Sequence, residues 1–202
     1  MTNMMDFYYE KRKFVFKRIY ESSNIEKGVI VILMACFTGI MAQVVIPLYW
    51  SPVPITGQTF AVLVSGLILG RKLGPLSQLL YIIIGVLGVP WFADMSSGLN
   101  IFLGSTGGYM IGFVFASIFI GYISEKYSKS RNIKKMLIVM LIANYICITL
   151  PGLFVLAIWY YLTVGNLPDI GTLLIIGFIP FIAGDMVKII GASFFSKILL
   201  PK

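Results

Sequence analysis

Gly28-Val-Ile-Val-Ile-Leu-Met-Ala-Cys-Phe-Thr-Gly-Ile-Met-Ala-Gln-Val-Val-Ile-Pro-Leu48 contains no Asp, Glu, Lys or Arg. An uncharged apolar run of about 20 residues is long enough to cross the hydrocarbon of a bilayer as a helix. Five more apolar segments follow, at 59–70, 74–89, 106–123, 136–163 and 170–200. Segments 59–70 and 74–89 are too short for a perpendicular crossing, so they must borrow length from their flanks or sit inside a protected bundle. The expectation is an all-α membrane protein with six transmembrane helices. Composition agrees: 58% hydrophobic and 12% charged residues, with a mean hydropathy of +0.93 over 202 residues, lie outside the range of soluble domains.

Charge placement supplies the topology. With the N-terminus in the cytoplasm, the inner turns carry Arg71 and Lys72, then Lys126, Lys129, Arg131, Lys134 and Lys135, and the C-terminal end carries Lys197 and Lys202. The segment before the first span adds Lys11, Arg12, Lys13, Lys17, Arg18 and Lys27, interleaved with aromatic residues. The outer connections 47–58 and 90–105 contain neither Lys nor Arg. This is the positive-inside pattern, which places both termini in the cytoplasm and makes the net charge of +8 a topological signal, not a nucleic-acid footprint. The chain divides into a cytoplasmic basic and aromatic arm, 1–27, suited to a membrane lipid surface, and a transmembrane domain, 28–202.

Of the 16 basic residues only Lys188 breaks the sorting, and it lies three residues after Asp185 in the last apolar segment. Pro180 interrupts that segment, and proline suits a helix start, so the last helix is expected at 180–200 with 170–178 a short piece at the outer boundary. An ionised side chain in a membrane helix costs roughly 2.5 to 3.5 kcal/mol on insertion scales and usually faces a partner or a cavity. The spacing puts Asp185 and Lys188 on one helix face. They read either as a self-neutralising structural pair or as the acceptor and donors of a small solute carrying N–H groups and a carbonyl or carboxylate.

Other motifs divide in the same way. Ser51-Pro-Val-Pro-Ile-Thr-Gly-Gln-Thr59 favours extended backbone and is either a stiff turn or a lid that brings Thr56 and Gln58 over a site. Trp91, Phe92 and Tyr109 belong either to an aromatic belt or to the walls of a ligand pocket, and Asp94 shares that ambiguity. Gly104-Ser-Thr-Gly-Gly-Tyr109 opens a helix whose free N–H groups suit a carboxylate. Ala35 and Gly39, and likewise Thr38 and Ala42, stand four residues apart and form a groove of small side chains for helix packing inside the bundle or against a partner. The chain has no histidine, which removes imidazole triads, relays and zinc sites, and Cys36 and Cys147 stand apart without metal spacing. No metal site, nucleotide loop or nucleic-acid motif is present, so an enzyme is not expected.

Taken in order, Pro52-Val-Pro-Ile-Thr-Gly-Gln-Thr59, Leu69-Gly-Arg-Lys-Leu-Gly74, Tyr81-Ile-Ile-Ile-Gly-Val-Leu-Gly-Val-Pro90, Gly104-Ser-Thr-Gly-Gly-Tyr109 and Pro180-Phe-Ile-Ala-Gly-Asp-Met-Val-Lys188 resemble the BioY family, the biotin-specific S-components of energy-coupling factor (ECF) transporters. The resemblance covers nearly all of the chain from residue 28. It implies the six-helix S-component fold in a bacterial plasma membrane and a biotin site under the first outer loop and against the last helix. It implies assembly with a transmembrane T-component and two ATPases, which use the ATP; the chain itself needs no cofactor. By the same carry-over Ala35, Gly39 and Ala42 look like the surface that meets the T-component. Ser105 stands where the family usually has proline, and the arm before residue 28 is outside the pattern. A carrier working alone and a structural membrane protein are the competing expectations.

Overall fold

The computed structural model describes residues 21–127 and 132–199. Residues 1–20 of the N-terminal arm, together with Lys129, Arg131 and Lys202 of the charge pattern, lie outside them. Helix α1, Asn24–Ala42, begins at a capping box: the Ser23 hydroxyl accepts from the Glu26 N–H, and the Glu26 carboxylate accepts from the Ser23 N–H. The helix therefore starts four residues before the apolar run. It also stops six residues short of its end, because Val45–Ile46 (β1) pairs antiparallel with Ile55–Thr56 (β2), with Val45 opposite Thr56 and Ile46 opposite Ile55. The prolines between them, expected to hold extended backbone, sit in the connection of this small hairpin.

Helix α2, Gln58–Val86, is folded back on itself. Gly70 has φ 71° and ψ −171°, a conformation open to glycine and to almost nothing else. The Gln58 amide donates to the Tyr81 hydroxyl at 2.6 Å across a separation of 23 residues. A straight helix would hold those residues about 35 Å apart at 1.5 Å per residue. A Cβ on Gly74 would lie 3.0 Å from the Ser65 carbonyl, which again requires the limbs 58–69 and 71–86 to run antiparallel. The two short apolar segments of the sequence are these limbs.

A turn at Ala93–Met95 and a single helical turn, α3 (Leu99–Phe102), lead to α4, Gly107–Lys126. Helix α5 (Ile133–Ile142), a π-helical segment (Ala143–Thr149) and α6 (Leu150–Val164) then form one 32-residue rod. Helix α7 is Ile170–Gly177 and α8 is Phe181–Leu199, bent by 47° from one another around Pro180. Asp169 caps α7, and hydrogen bonds from the hydroxyl and N–H of Thr172 hold its carboxyl below the usual carboxylate range. Among the described residues, four helical stretches are long and apolar enough to cross a membrane, namely Asn24–Ala42, Gln58–Val86, Gly107–Lys126 and Ile133–Val164, and the bent α7–α8 pair makes a fifth if it is taken as one span. The reversal at Gly70 splits the second of these into two limbs.

The α2 hairpin and α4 are the centre of the bundle. Ser65 and Ser117 hydroxyls meet at 3.0 Å, and a Cβ on Gly66 would lie 2.8 Å from the Ser117 carbonyl. At the inner end the Arg71 N–H donates to Glu125 at 2.9 Å and its guanidinium pairs with the same carboxylate at 3.1 Å. Large apolar side chains are exposed on the outer faces, among them Ile32, Leu33, Phe154, Leu162 and Val187, as lipid contact requires.

One expectation is overturned here. Ala35, Gly39 and Ala42 are not an outward surface for a partner; all three are buried within this chain. Trp91 lies over Gly39, where a Cβ would be 3.2 Å from its ring, and Thr38 beside them hydrogen-bonds to Gln78 of α2. Small side chains are needed for that close approach, and it is satisfied internally.

Where α4 crosses the reversal, a Cβ on Gly121 would stand 2.3 Å from the Arg71 nitrogen, while one on Gly28 meets nothing within 4 Å. Gly121→Ala should therefore destabilise the detergent-solubilised protein by about 1 to 3 kcal/mol, and Gly28→Ala should leave its thermal midpoint unchanged or raised.

Candidate functional site

A cavity of about 380 Å³ opens among the two outer connections, α4, the π segment and α8. At its polar end Asp185 and Lys188 lie on one face of α8, as their spacing predicts, with the Lys188 ammonium 2.7 Å from Asp185 Oδ1. Asp185 is 5% exposed. Its other oxygen, Oδ2, accepts from the Asn144 amide at 2.8 Å, and the ammonium also donates to the Thr56 carbonyl at 3.1 Å. An ammonium has three donors. Among the described residues two are engaged by protein.

The π segment explains how Asn144 reaches Asp185. Pro151 has no N–H to offer the Cys147 carbonyl, so the ordinary ladder cannot continue through this region, and the backbone widens from Ala143 to Thr149. Gly108 and Gly112 of α4 fit against it: their Cβ positions would fall 2.3 Å from the Pro151 carbonyl and 2.5 Å from the Cys147 carbonyl. Both glycines therefore serve close helix approach. Gly107 likewise lies against the Phe102 carbonyl. Of the glycine-rich turn read as an anion cradle, Gly104, Ser105 and Thr106 line the cavity and the two later glycines do not.

Of the residues singled out from sequence, Thr56, Gln58, Phe92, Tyr109, Asp185 and Lys188 line the cavity, and Trp91 and Asp94 do not. Trp91 packs behind it, its indole N–H donating to the Tyr81 carbonyl at 3.0 Å. Asp94 is exposed on a left-handed turn with φ 58°, followed by Met95 at φ 53°. Gln58 is held in a hydrogen-bond chain in which Thr56 donates to its amide oxygen at 2.8 Å, it donates to Tyr81, and Tyr81 donates to the Trp91 carbonyl at 3.3 Å. Tyr109 donates to the Gly177 carbonyl at 2.8 Å and packs edge-on against Phe181.

Several residues that sequence reasoning passed over belong to the site or its frame. Asn144, Trp159 and Phe178 line the cavity. Gln43 clamps the second outer connection, donating to the Phe92 carbonyl at 3.0 Å and accepting from the Met95 N–H at 3.0 Å. Ser105 donates to the Pro52 carbonyl at 3.1 Å, so it joins the two outer connections directly. The one signal that could have marked any of them is the type of Asn144, a carboxamide inside an apolar span seven residues before a proline.

Residues 13–201 match the model of the BioY family. The chain belongs to that family. Among its relatives, a protein described as probable biotin transporter BioY from Methanothermobacter thermautotrophicus is 49% identical over 138 residues, 68% of this chain and 88% of that one. The biotin transporter BioY of Thermotoga maritima is 33% identical over 152 residues, 75% of this chain and 82% of its own. The crystal structure at 2.1 Å of the S-component for biotin from an ECF-type ABC transporter superposes with a TM-score of 0.76 at 26% identity, covering 87% of this chain and 93% of that one. The fold is that of an S-component, and the BioY family is a transporter family of membrane proteins, not an enzyme family.

The buried pair also makes a stability prediction. Removing one partner strands the other charge, at a cost of about 3 to 5 kcal/mol, whereas removing both is far milder. Lys188→Met should lower the thermal midpoint of the ligand-free protein sharply, and Asp185→Asn combined with Lys188→Met should recover most of that loss in a double-mutant cycle.

Proposed function

We propose that this chain is the biotin-binding S-component of an ECF vitamin uptake transporter, capturing biotin at the outer face and delivering it inward when joined to a T-component and two ATPases. The carrying observation is the cavity's asymmetry: a buried Asp185–Lys188–Asn144 cluster at one end of an otherwise aromatic and aliphatic pocket. Biotin has the matching asymmetry. Its ureido ring offers two N–H donors and one carbonyl acceptor, its bicycle is apolar, and its tail ends in a carboxylate. Small-molecule pockets of roughly 300 to 1,000 Å³ pair an apolar lining with a few placed polar groups in the same way.

In this reading the ureido group meets the cluster, with its carbonyl on the third Lys188 proton. Tyr109, Phe113, Trp159 and Phe181 wall the bicycle, and Phe92 backs them from the core. The carboxylate reaches the polar rim at Ser96, Asn100, Ser105 and Thr106. Thr56 closes the pocket from the first outer connection, Gln58 holds that connection in place, and Trp91 supports Phe92 from behind; Asp94 has no direct part. The six limbs each cross the membrane, with both termini in the cytoplasm of a bacterial cell, in keeping with the sorting of the basic residues. ATP is used by the partner subunits, and the buried position of Ala35, Gly39 and Ala42 moves the T-component contact to other, exposed faces of the bundle.

Calorimetric titration of the detergent-purified protein should register biotin binding, weakened more than tenfold by Lys188→Met, a loss of about 1.4 kcal/mol or more. In proteoliposomes containing this chain alone, biotin should be retained without accumulation driven by a proton gradient. Gradient-driven accumulation would assign the chain to the stand-alone carriers instead.

A further inference from the structure

Two buried polar atoms have no hydrogen-bond partner among the described residues: Asn144 Oδ1 and Thr59 Oγ1. Both belong to residues that line the same cavity. An unmade buried hydrogen bond costs about 1 to 3 kcal/mol, so their presence at one site calls for a shared reason. The chemistry of Asn144 fixes which of its atoms is free. Asp185 is held by the Lys188 ammonium at Oδ1, and only the amide nitrogen of Asn144 can donate to Oδ2, so the amide oxygen is the acceptor left without a partner among the described residues. Asp185 thus has a partner on each oxygen, while Asn144 presents an acceptor with none.

We propose that Asn144 Oδ1 and the Thr59 hydroxyl are specificity contacts for the ligand, Asn144 accepting a ring N–H and Thr59 pairing with a second polar atom of the same head group; this rests on the biotin reading above. Asp185 then acts largely as a positioning residue, orienting the Asn144 amide and the Lys188 ammonium so that an acceptor and a donor face the ligand together. A cyclic urea satisfies that arrangement, and a head group whose ring nitrogen carries no hydrogen does not.

The test turns on a property that a structural polar contact lacks. Because the Thr59 hydroxyl has no protein partner among the described residues, Thr59→Val, which preserves shape, should leave the thermal midpoint of the ligand-free protein unchanged or raised while weakening biotin binding about tenfold. Asn144→Leu should weaken biotin binding at least tenfold. Titration with the two ureido N-methyl derivatives of biotin completes a cycle: one of them should bind wild type at least tenfold more weakly than biotin does, yet bind Asn144→Leu about as well as it binds wild type. If wild type binds biotin and Thr59→Val and Asn144→Leu bind it within twofold of wild type, the assignment is overturned and the functional reading stands. A lowered midpoint for ligand-free Thr59→Val would also overturn it. A folded wild-type protein that binds no biotin would overturn the functional reading itself. Should Asn144→Leu fail to fold, Thr59→Val decides alone.

Discussion

The Lys188 ammonium holds three parts of the molecule in register. It neutralises Asp185 one helical turn earlier on α8, and it donates to the carbonyl of Thr56 at the end of β2, which ties the last helix to the first outer connection. Through Asp185 it also fixes Asn144 on the π segment. A charge this deep in an apolar bundle is tolerable only when every group around it is oriented toward it. That demand sets the position of α8, of β2 and of the widened turn in the long rod, and the cavity is the space the three enclose.

A second, uncharged network fixes the opposite wall. Thr56, Gln58 and Tyr81 pass hydrogen bonds from the first outer connection to the Trp91 carbonyl, and Gln43 takes up the Trp91 and Phe92 carbonyls from the end of α1. This works because the chain turns back at Gly70: only an antiparallel pair of limbs brings Gln58 beside Tyr81. Phe92 is fully buried by the same arrangement, with its ring against Gly85 and Tyr81. The two outer connections therefore share one frame, with Thr56 common to the charged cluster and the neutral network.

The parts legible in the sequence were those with an energetic signature that survives without neighbours. Ionised groups in an apolar run stand out wherever they point, which is why Asp185 and Lys188 could be placed together, and the charged break at Arg71 and Lys72 separated the two short limbs. The direction of a side chain around its helix carries no such mark. Ala35, Gly39 and Ala42 permit a close approach, but sequence does not say whose, and the occupant is Trp91 of the same chain. Trp91 and Phe92 are adjacent and chemically alike, and nothing in the sequence tells that Phe92 is fully buried against Gly85 and Tyr81 while Trp91 lies over Gly39. Asn144 was hidden for a different reason: one neutral amide hardly alters the hydropathy of a 32-residue rod.

Asn144 also shows how backbone defects become useful in a membrane. A helix there must satisfy its own carbonyls, because lipid offers no donors. Pro151 withholds one, and the consequence is confined to the stretch from Ala143 to Thr149, which buries Ala143, Asn144, Ile148 and Thr149 and leaves Ile146 on the outer face. Gly108 and Gly112 let α4 close on that stretch to a distance no other residue allows, so the irregular backbone is covered by protein. Tyr109, between them in sequence, is carried over Gly152 to reach the Gly177 carbonyl, at the end of α7 just before the bend into α8. The proline, the glycines and the tyrosine thus act as one unit. They convert a break in the hydrogen-bond ladder into a fixed, wider turn, and that turn delivers a carboxamide to the buried end of the cavity, where a regular helix of the same sequence would present a different face.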